Sequence, residues 1–113
     1  MLESKLQSEL RRIALANNWL YYHTHSSKKS DVGFPDTVLL RITLKYGELY
    51  FVECKRQDQE PTEEQQRWIE GVKAFRLRAL NFAGMDVTVD AFVWRPMDLL
   101  SGNIERILNA TAL

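Results

Sequence analysis

The segment DTVLLRITLKYGELYFVECK, residues 36–55, decides how the rest of the chain is read. Val38, Leu40, Ile42 and Leu44 alternate with Thr37, Leu39, Arg41 and Thr43, the period of two that marks a β-strand. KYGE offers a turn about Gly47, and LYFVECK returns with residue types that favour strands. The expectation is a β-hairpin. A turn over Lys45 to Glu48 pairs residue n with about 93 − n, which sets Glu53 near Leu40 and leaves Asp36 a few residues beyond it. On that count only a bulge or local bend would bring Asp36 beside Glu53.

The end of the hairpin is odd. Glu53 and Lys55 share one strand face, about 7 Å apart along the chain, while Cys54 points the other way as a small buried hydrophobe. Two readings stand side by side. Glu53 and Lys55 form an ion pair on a wet face, or protect an edge strand. Alternatively, because Leu49 and Phe51 precede them on that face, they line a polar pocket at the end of the sheet. A carboxylate in such a pocket needs compensation. A hard divalent cation supplies it, since Mg²⁺ prefers oxygen ligands.

Outward from the hairpin, Leu2, Leu6, Leu10 and Ile13 recur at helical spacing and predict an amphipathic helix over 2–16, stopped by Asn17-Asn18. WLYYHT, 19–24, is aromatic and strand-prone. HSSKKSDVGFP reads as a loop, in which Pro35 keeps Phe34 out of helix. Thr62 and Gln65 fit a capping box that opens a second helix running to about Asn81. Gly84 breaks it, VTVDAFVW is a further strand ended by Arg95-Pro96, and Leu99, Leu100, Ile104, Ile107 and Leu108 predict one last helix. The order is α-β-β-β-α-β-α: a small mixed β-sheet flanked by helices, in the α/β class.

Bulk properties narrow the field. The 113 residues, 45% hydrophobic and 27% charged, suit one domain over 1–113. No run reaches the length of a membrane span. MLESKLQSELRR lacks an apolar signal core, and a lone cysteine fits a reducing compartment, so a cytoplasmic protein without a membrane partner is expected. Net charge is zero, from 15 basic and 15 acidic residues. That balance excludes wholesale attraction to nucleic acid but not local contact. Residues 10–30 hold Arg11, Arg12, Lys28 and Lys29 without a single acid. Such a zone is a solvated surface or a phosphate-binding one. His23 and His25 form HxH, yet no further cysteine or histidine lies nearby to complete a zinc set.

GFPD at 33–36, ECK at 53–55, Glu3 with Leu6-Gln7, YHTHSSKKSDVGFPD, PTEEQQRW and VWRP, in that order, resemble the VRR-NUC family of the PD-(D/E)xK nuclease superfamily. The resemblance spans nearly the whole chain and implies a restriction-endonuclease-like core that binds Mg²⁺ or Mn²⁺ and hydrolyses DNA phosphodiester bonds. Carried over by position, Asp36 and Glu53 become metal ligands, joined by the Cys54 carbonyl and by Glu3, directly or through water. Lys55 becomes the residue that orients or activates water, and Gln65 helps organise the site. Glu3 as first-turn acid and Gln65 as capping residue also have sufficient structural roles. His23, Ser27, Lys28, Lys29 and Arg67 become candidate contacts to phosphates, although His23 also reads as a packed strand residue and Arg67 as surface.

Stand-alone members of the family resemble dimeric junction resolvases, which implies a homodimer acting on branched DNA with little sequence preference, in a phage or mobile-element setting. The chain departs from the family at RLRALNFAGMDVTVDAF, which lengthens the second helix or inserts a piece. Its arginines would widen a DNA-binding face, or Leu77, Leu80, Phe82 and Met85 would make a dimer contact. The rival from another class is a non-catalytic nucleic-acid-binding module that keeps the fold.

Overall fold

In the computed structural model of the chain, residues 1–24, 31–44, 46–83 and 86–109 are described, those of 80–83 by backbone alone. The elements run α1 (Glu3–Ala16), β1 (Leu20–His23), β2 (Thr37–Ile42), β3 (Gly47–Cys54), α2 (Glu63–Ala83), β4 (Val87–Trp94), α3 (Pro96–Leu100) and α4 (Asn103–Asn109). The sheet has the order β1-β2-β3-β4. The first three strands are antiparallel and β4 joins β3 in parallel, so the sheet is mixed. The parallel step requires a crossover, which α2 provides.

Helix α1 forms for the expected reason. Leu6, Leu10, Ile13 and Ala14 share one buried stripe. It stops where Asn18 takes a left-handed backbone, φ 66°, which asparagine tolerates better than most residues. The turn drops Trp19 into the core, where its indole N–H donates to the Leu108 carbonyl at 3.0 Å. The capping box of α2 is present: Thr62 N–H donates to Gln65 Oε1 at 2.9 Å and Gln65 N–H to Thr62 Oγ1 at 3.2 Å. The final helix differs from expectation. It divides at Ser101–Gly102, because Gly102 adopts φ 81°, a conformation cheap only for glycine, and closes α3. The order is therefore α-β-β-β-α-β-α-α.

The hairpin differs more consequentially. Ile42 pairs with Gly47 and Thr37 with Val52, so partners sum to 89 and not 93. Gly47 belongs to the strand, and the turn is centred two residues earlier, which shifts each partner by four; it is closed by Thr43 N–H to the Tyr46 carbonyl at 2.8 Å and Tyr46 N–H to Thr43 Oγ1 at 3.0 Å. The threonine hydroxyl stands in for a turn glycine.

One sheet face, carrying Leu39, Tyr50, Val52 and Cys54, packs with α1, Ile104, Leu108 and Trp94 as the main core. On the opposite face, Leu49, Phe51 and Val89 line an apolar groove with Trp68, Val72 and Phe75 of α2. The main core holds a buried charge pair. The Arg41 guanidinium contacts Glu48 Oε1 at 2.9 Å through Nε and Nη2, and its Nη1 donates to the carbonyls of Asn17 and Leu108 at 3.2 and 2.9 Å. It also lies 4.4 Å from the Trp19 ring centroid, while the Tyr50 hydroxyl donates to Glu48 Oε2 at 3.3 Å. Among the described residues, no helix is long and apolar enough to cross a membrane.

Arg41→Met should destabilise the protein by about 3–5 kcal/mol, because Glu48 is left buried without its partner. Urea unfolding measures this. Adding Glu48→Leu should recover most of the loss, and a single variant as stable as wild type would contradict the account.

Candidate active site

The observed register brings Asp36 to Glu53. Thr37 opposes Val52, so the next residue out on each strand, 36 and 53, meet at the same end of the sheet. The Asp36 N–H donates to Glu53 Oε1 at 3.3 Å. No bulge is needed, and the expected separation of the two residues is corrected.

The approach to Asp36 is held by packing. Phe34 stands edge-on to Phe51 and to Trp68, with ring centroids 5.8 and 4.9 Å apart. Gly33 sits at φ +95° so close to α2 that a Cβ there would meet Glu64 at 2.6 Å. Only glycine satisfies both conditions.

The carboxylate of Asp36 is fixed from both sides. Its Oδ1 accepts from the Thr37 hydroxyl at 2.7 Å and its Oδ2 from the Cys54 N–H at 3.1 Å. Thr37 is itself oriented, accepting from Gln7 Nε2 at 2.7 Å, and the same amide reaches the Tyr21 hydroxyl. The Asp36 carbonyl accepts from His23 Nδ1 at 3.0 Å, a contact that places the proton on Nδ1 because a carbonyl only accepts. On the other carboxylate, Glu53 Oε2 lies 3.7 Å from Lys55 Nζ. Glu53 is 4% exposed and Lys55 7%.

Two acids and one base therefore share a dry corner. Burial pushes Glu53 up to about 8, with the negative charge of Asp36 adding to it and Lys55 opposing. Burial also raises Asp36, against its hydrogen bonds from Thr37 and Cys54. Burial pushes the Cys54 thiol well up too, which makes it a packing group and not a nucleophile.

The corner opens into a cavity of about 970 Å³. Of the residues singled out from sequence, Asp36, Glu53 and Lys55 line it together with Glu3, His23 and Gln65. Gln65 also serves the cap of α2 through its oxygen. Cys54 contributes backbone beside Asp36, its side chain being buried on the opposite face. Arg67 is not brought here. It pairs with Glu63 at 3.3 Å and lines the apolar groove between α2 and the sheet. Ser27, Lys28 and Lys29, with His25, lie outside the described residues, as do the side chains of Leu80, Phe82 and Met85.

Sequence reasoning did not assign Gln7, Tyr21 and Thr37 to the site. Signals existed: Gln7 lies one turn from Glu3 on the same helix face, and Thr37 is a hydroxyl on the alternation that turned out to be the buried one.

Among the described residues, no group of three His, Cys, Asp or Glu side chains is placed to hold a metal ion. The pair Asp36–Glu53 still suits a hard cation of the magnesium kind, which is commonly held by one or two carboxylates and completes its shell with water and substrate oxygens. No family model, curated protein or solved structure matches the chain.

The shifts imply a pH dependence of stability in chelator. The fold favours the uncharged form of Glu53, so its contribution is full below about 4.5, the ordinary value, and is lost as the pH rises towards about 8. Tm should fall across that window, and Glu53→Gln should flatten the fall. A wild-type Tm that rises steadily from the lower to the upper pH would contradict the shift.

Proposed function

We propose that the protein is a metal-dependent DNA endonuclease of the VRR-NUC kind, with a restriction-endonuclease-like core. One observation carries the reading: two carboxyl groups, Asp36 and Glu53, meet in a buried corner with the single amine of Lys55, beside a cavity large enough for a phosphodiester. Structural ion pairs are balanced, whereas this group is not, and such imbalance is characteristic of functional sites.

Asp36 and Glu53 would hold Mg²⁺ or Mn²⁺ with the Cys54 carbonyl, and Glu3 would join them directly or through water. Bound there, the ion supplies Lewis acidity and a more acidic water. The chain's own groups do the rest. The Thr37–Gln7–Tyr21 hydrogen bonds keep the Asp36 carboxylate in one orientation, which lowers the cost of organising the site at each turnover. Lys55 places a fixed positive charge beside Glu53, where it orients the attacking water and stabilises charge growing on the phosphoryl oxygens. Gln65 limits the cavity from the start of α2, tied down by its capping bond.

Among the described residues no helix is set out as a base-reading element, and a substrate read by shape, branched DNA such as a four-way junction, is the proposed form. The homodimer belongs to the same proposal. Leu77 of α2, 62% exposed, is an apolar side chain a second copy would cover. Light scattering after gel filtration determines the mass.

The deciding assay is nicking of supercoiled plasmid and of a labelled four-way junction, with Mn²⁺ against chelator. Asp36→Ala, Glu53→Ala and Lys55→Ala should each lose about 100-fold or more. An Asp36→Ala variant cutting at the wild-type rate removes the assignment, and binding without cutting by wild type leaves the non-catalytic module.

Thr37→Val should weaken Mn²⁺ binding, read as a smaller Mn²⁺-induced rise in Tm, while Thr37→Ser retains it. Equal responses in Thr37→Val and wild type would deprive the hydroxyl of its positioning role.

A further inference from the structure

Helix α1 divides its positive charges between two faces. Lys5 and Arg12 both pair with Glu9, at 3.4 and 2.8 Å. Arg11, one position from Arg12, turns away from that set and has no ion-pair partner among the described residues. It lines a groove of about 570 Å³ between α1 and the edge strand β1, with Ser4, Ser8, Tyr22 and His23. The groove adjoins the candidate active site, sharing Tyr22 and His23 with its cavity. Tyr22 is 60% exposed, and no acidic residue occurs from 10 to 30.

Spacing gives the groove a scale. Glu3 borders the cavity and Arg11 lies eight residues further along α1, about 12 Å at 1.5 Å per residue. Phosphates of one B-form strand succeed each other about every 3.4 Å along the axis. The span from Glu3 to Arg11 thus matches about three to four nucleotides of such a strand.

We infer that this groove carries the nucleic-acid strand away from the cavity, with Arg11 on a backbone phosphate and Tyr22 stacked under a base. The inference rests on the nuclease reading and deepens it by naming the track of the substrate. An unpaired guanidinium beside serine hydroxyls suits a phosphate, and an exposed aromatic ring suits any base, since every base has a π-face. Both contacts are independent of sequence, as a structure-selective enzyme requires.

The test is equilibrium binding of a labelled DNA strand about 12 nucleotides long, followed by fluorescence anisotropy with Ca²⁺ across a salt series. Arg11→Gln should weaken binding severalfold and reduce the slope of log K against log salt by about 0.7. Tyr22→Ala should cost about 5- to 150-fold, the range for loss of one base–aromatic stack. Arg12→Gln removes the same charge one residue away, outside the groove, and should bind as wild type does. If Arg12→Gln loses as much as Arg11→Gln, or if Arg11→Gln and Tyr22→Ala both bind normally, the groove is not the track. Wild-type protein that binds neither this strand nor a labelled four-way junction overturns the nuclease reading itself, a result separate from a normal wild type with indifferent groove variants.

Discussion

Arg41 and Glu48 face each other across the β2–β3 ladder, buried together, and the position of everything at the far end of the hairpin depends on that pairing. In the main core, charges without partners are expensive. A slip of two residues would set Arg41 opposite Tyr50 or Tyr46 and leave two ions without each other. A slip of four, the register suggested by a glycine-centred turn, keeps every side chain on its face but moves Asp36 about 13 Å from Glu53 at roughly 3.3 Å per residue. Alternation alone does not distinguish these registers. The ion pair does, which is the best attested use of buried charge: to select one arrangement among several of similar hydrophobicity.

The two buried charge clusters show what separates structure from function here. Around Arg41 the account closes: one base, one acid, two backbone carbonyls, the Tyr50 hydroxyl and the Trp19 ring. At the sheet end it does not close. Asp36 and Glu53 outnumber Lys55, and the fold responds by raising the affinity of both acids for protons. The first cluster is sealed between α1, α4 and the sheet, while the second opens on a cavity. Acidic groups in surplus, oriented by hydrogen bonds and left open to the cavity, are the feature on which the proposed cation site rests. Gly33 and Phe34 seat the approach against α2, where Phe34 meets Trp68, and Gln7 of α1, Tyr21 of β1 and Thr37 of β2 hold it from the other side.

Arg11 and Tyr22 extend this polarity along the molecule. The acidic corner and Arg11, which has no ion-pair partner among the described residues, border two spaces that share Tyr22 and His23, the proposed places of a cation and of a phosphate.

Much of this was legible from residues alone, and the boundary of legibility is physical. Local chemistry determined the helix stripe of Leu6, Leu10 and Ile13, the stop at Asn17-Asn18, the Thr62–Gln65 cap and the alternation of β2 and β3, because each depends on neighbours within a few positions. The same reasoning singled out Glu53 and Lys55 by residue type, whereas Asp36 stood out only through the resemblance of GFPD and ECK to the VRR-NUC pattern. It did not place Asp36 beside Glu53, since the turn is closed by the Thr43 hydroxyl and the register by a buried ion pair, and neither leaves a mark in hydrophobic pattern. Nor did it select Thr37 and Gln7, whose roles exist only because α1 lies across the sheet, or sort Arg11 from Arg12, whose difference is which side of the helix meets Glu9 and which meets β1. The sequence by itself determined the elements and the chemistry they carry. Tertiary structure decided which charges are sealed, which are shared and which are left open, because burial and long-range pairing belong to surfaces that exist only after the chain has folded.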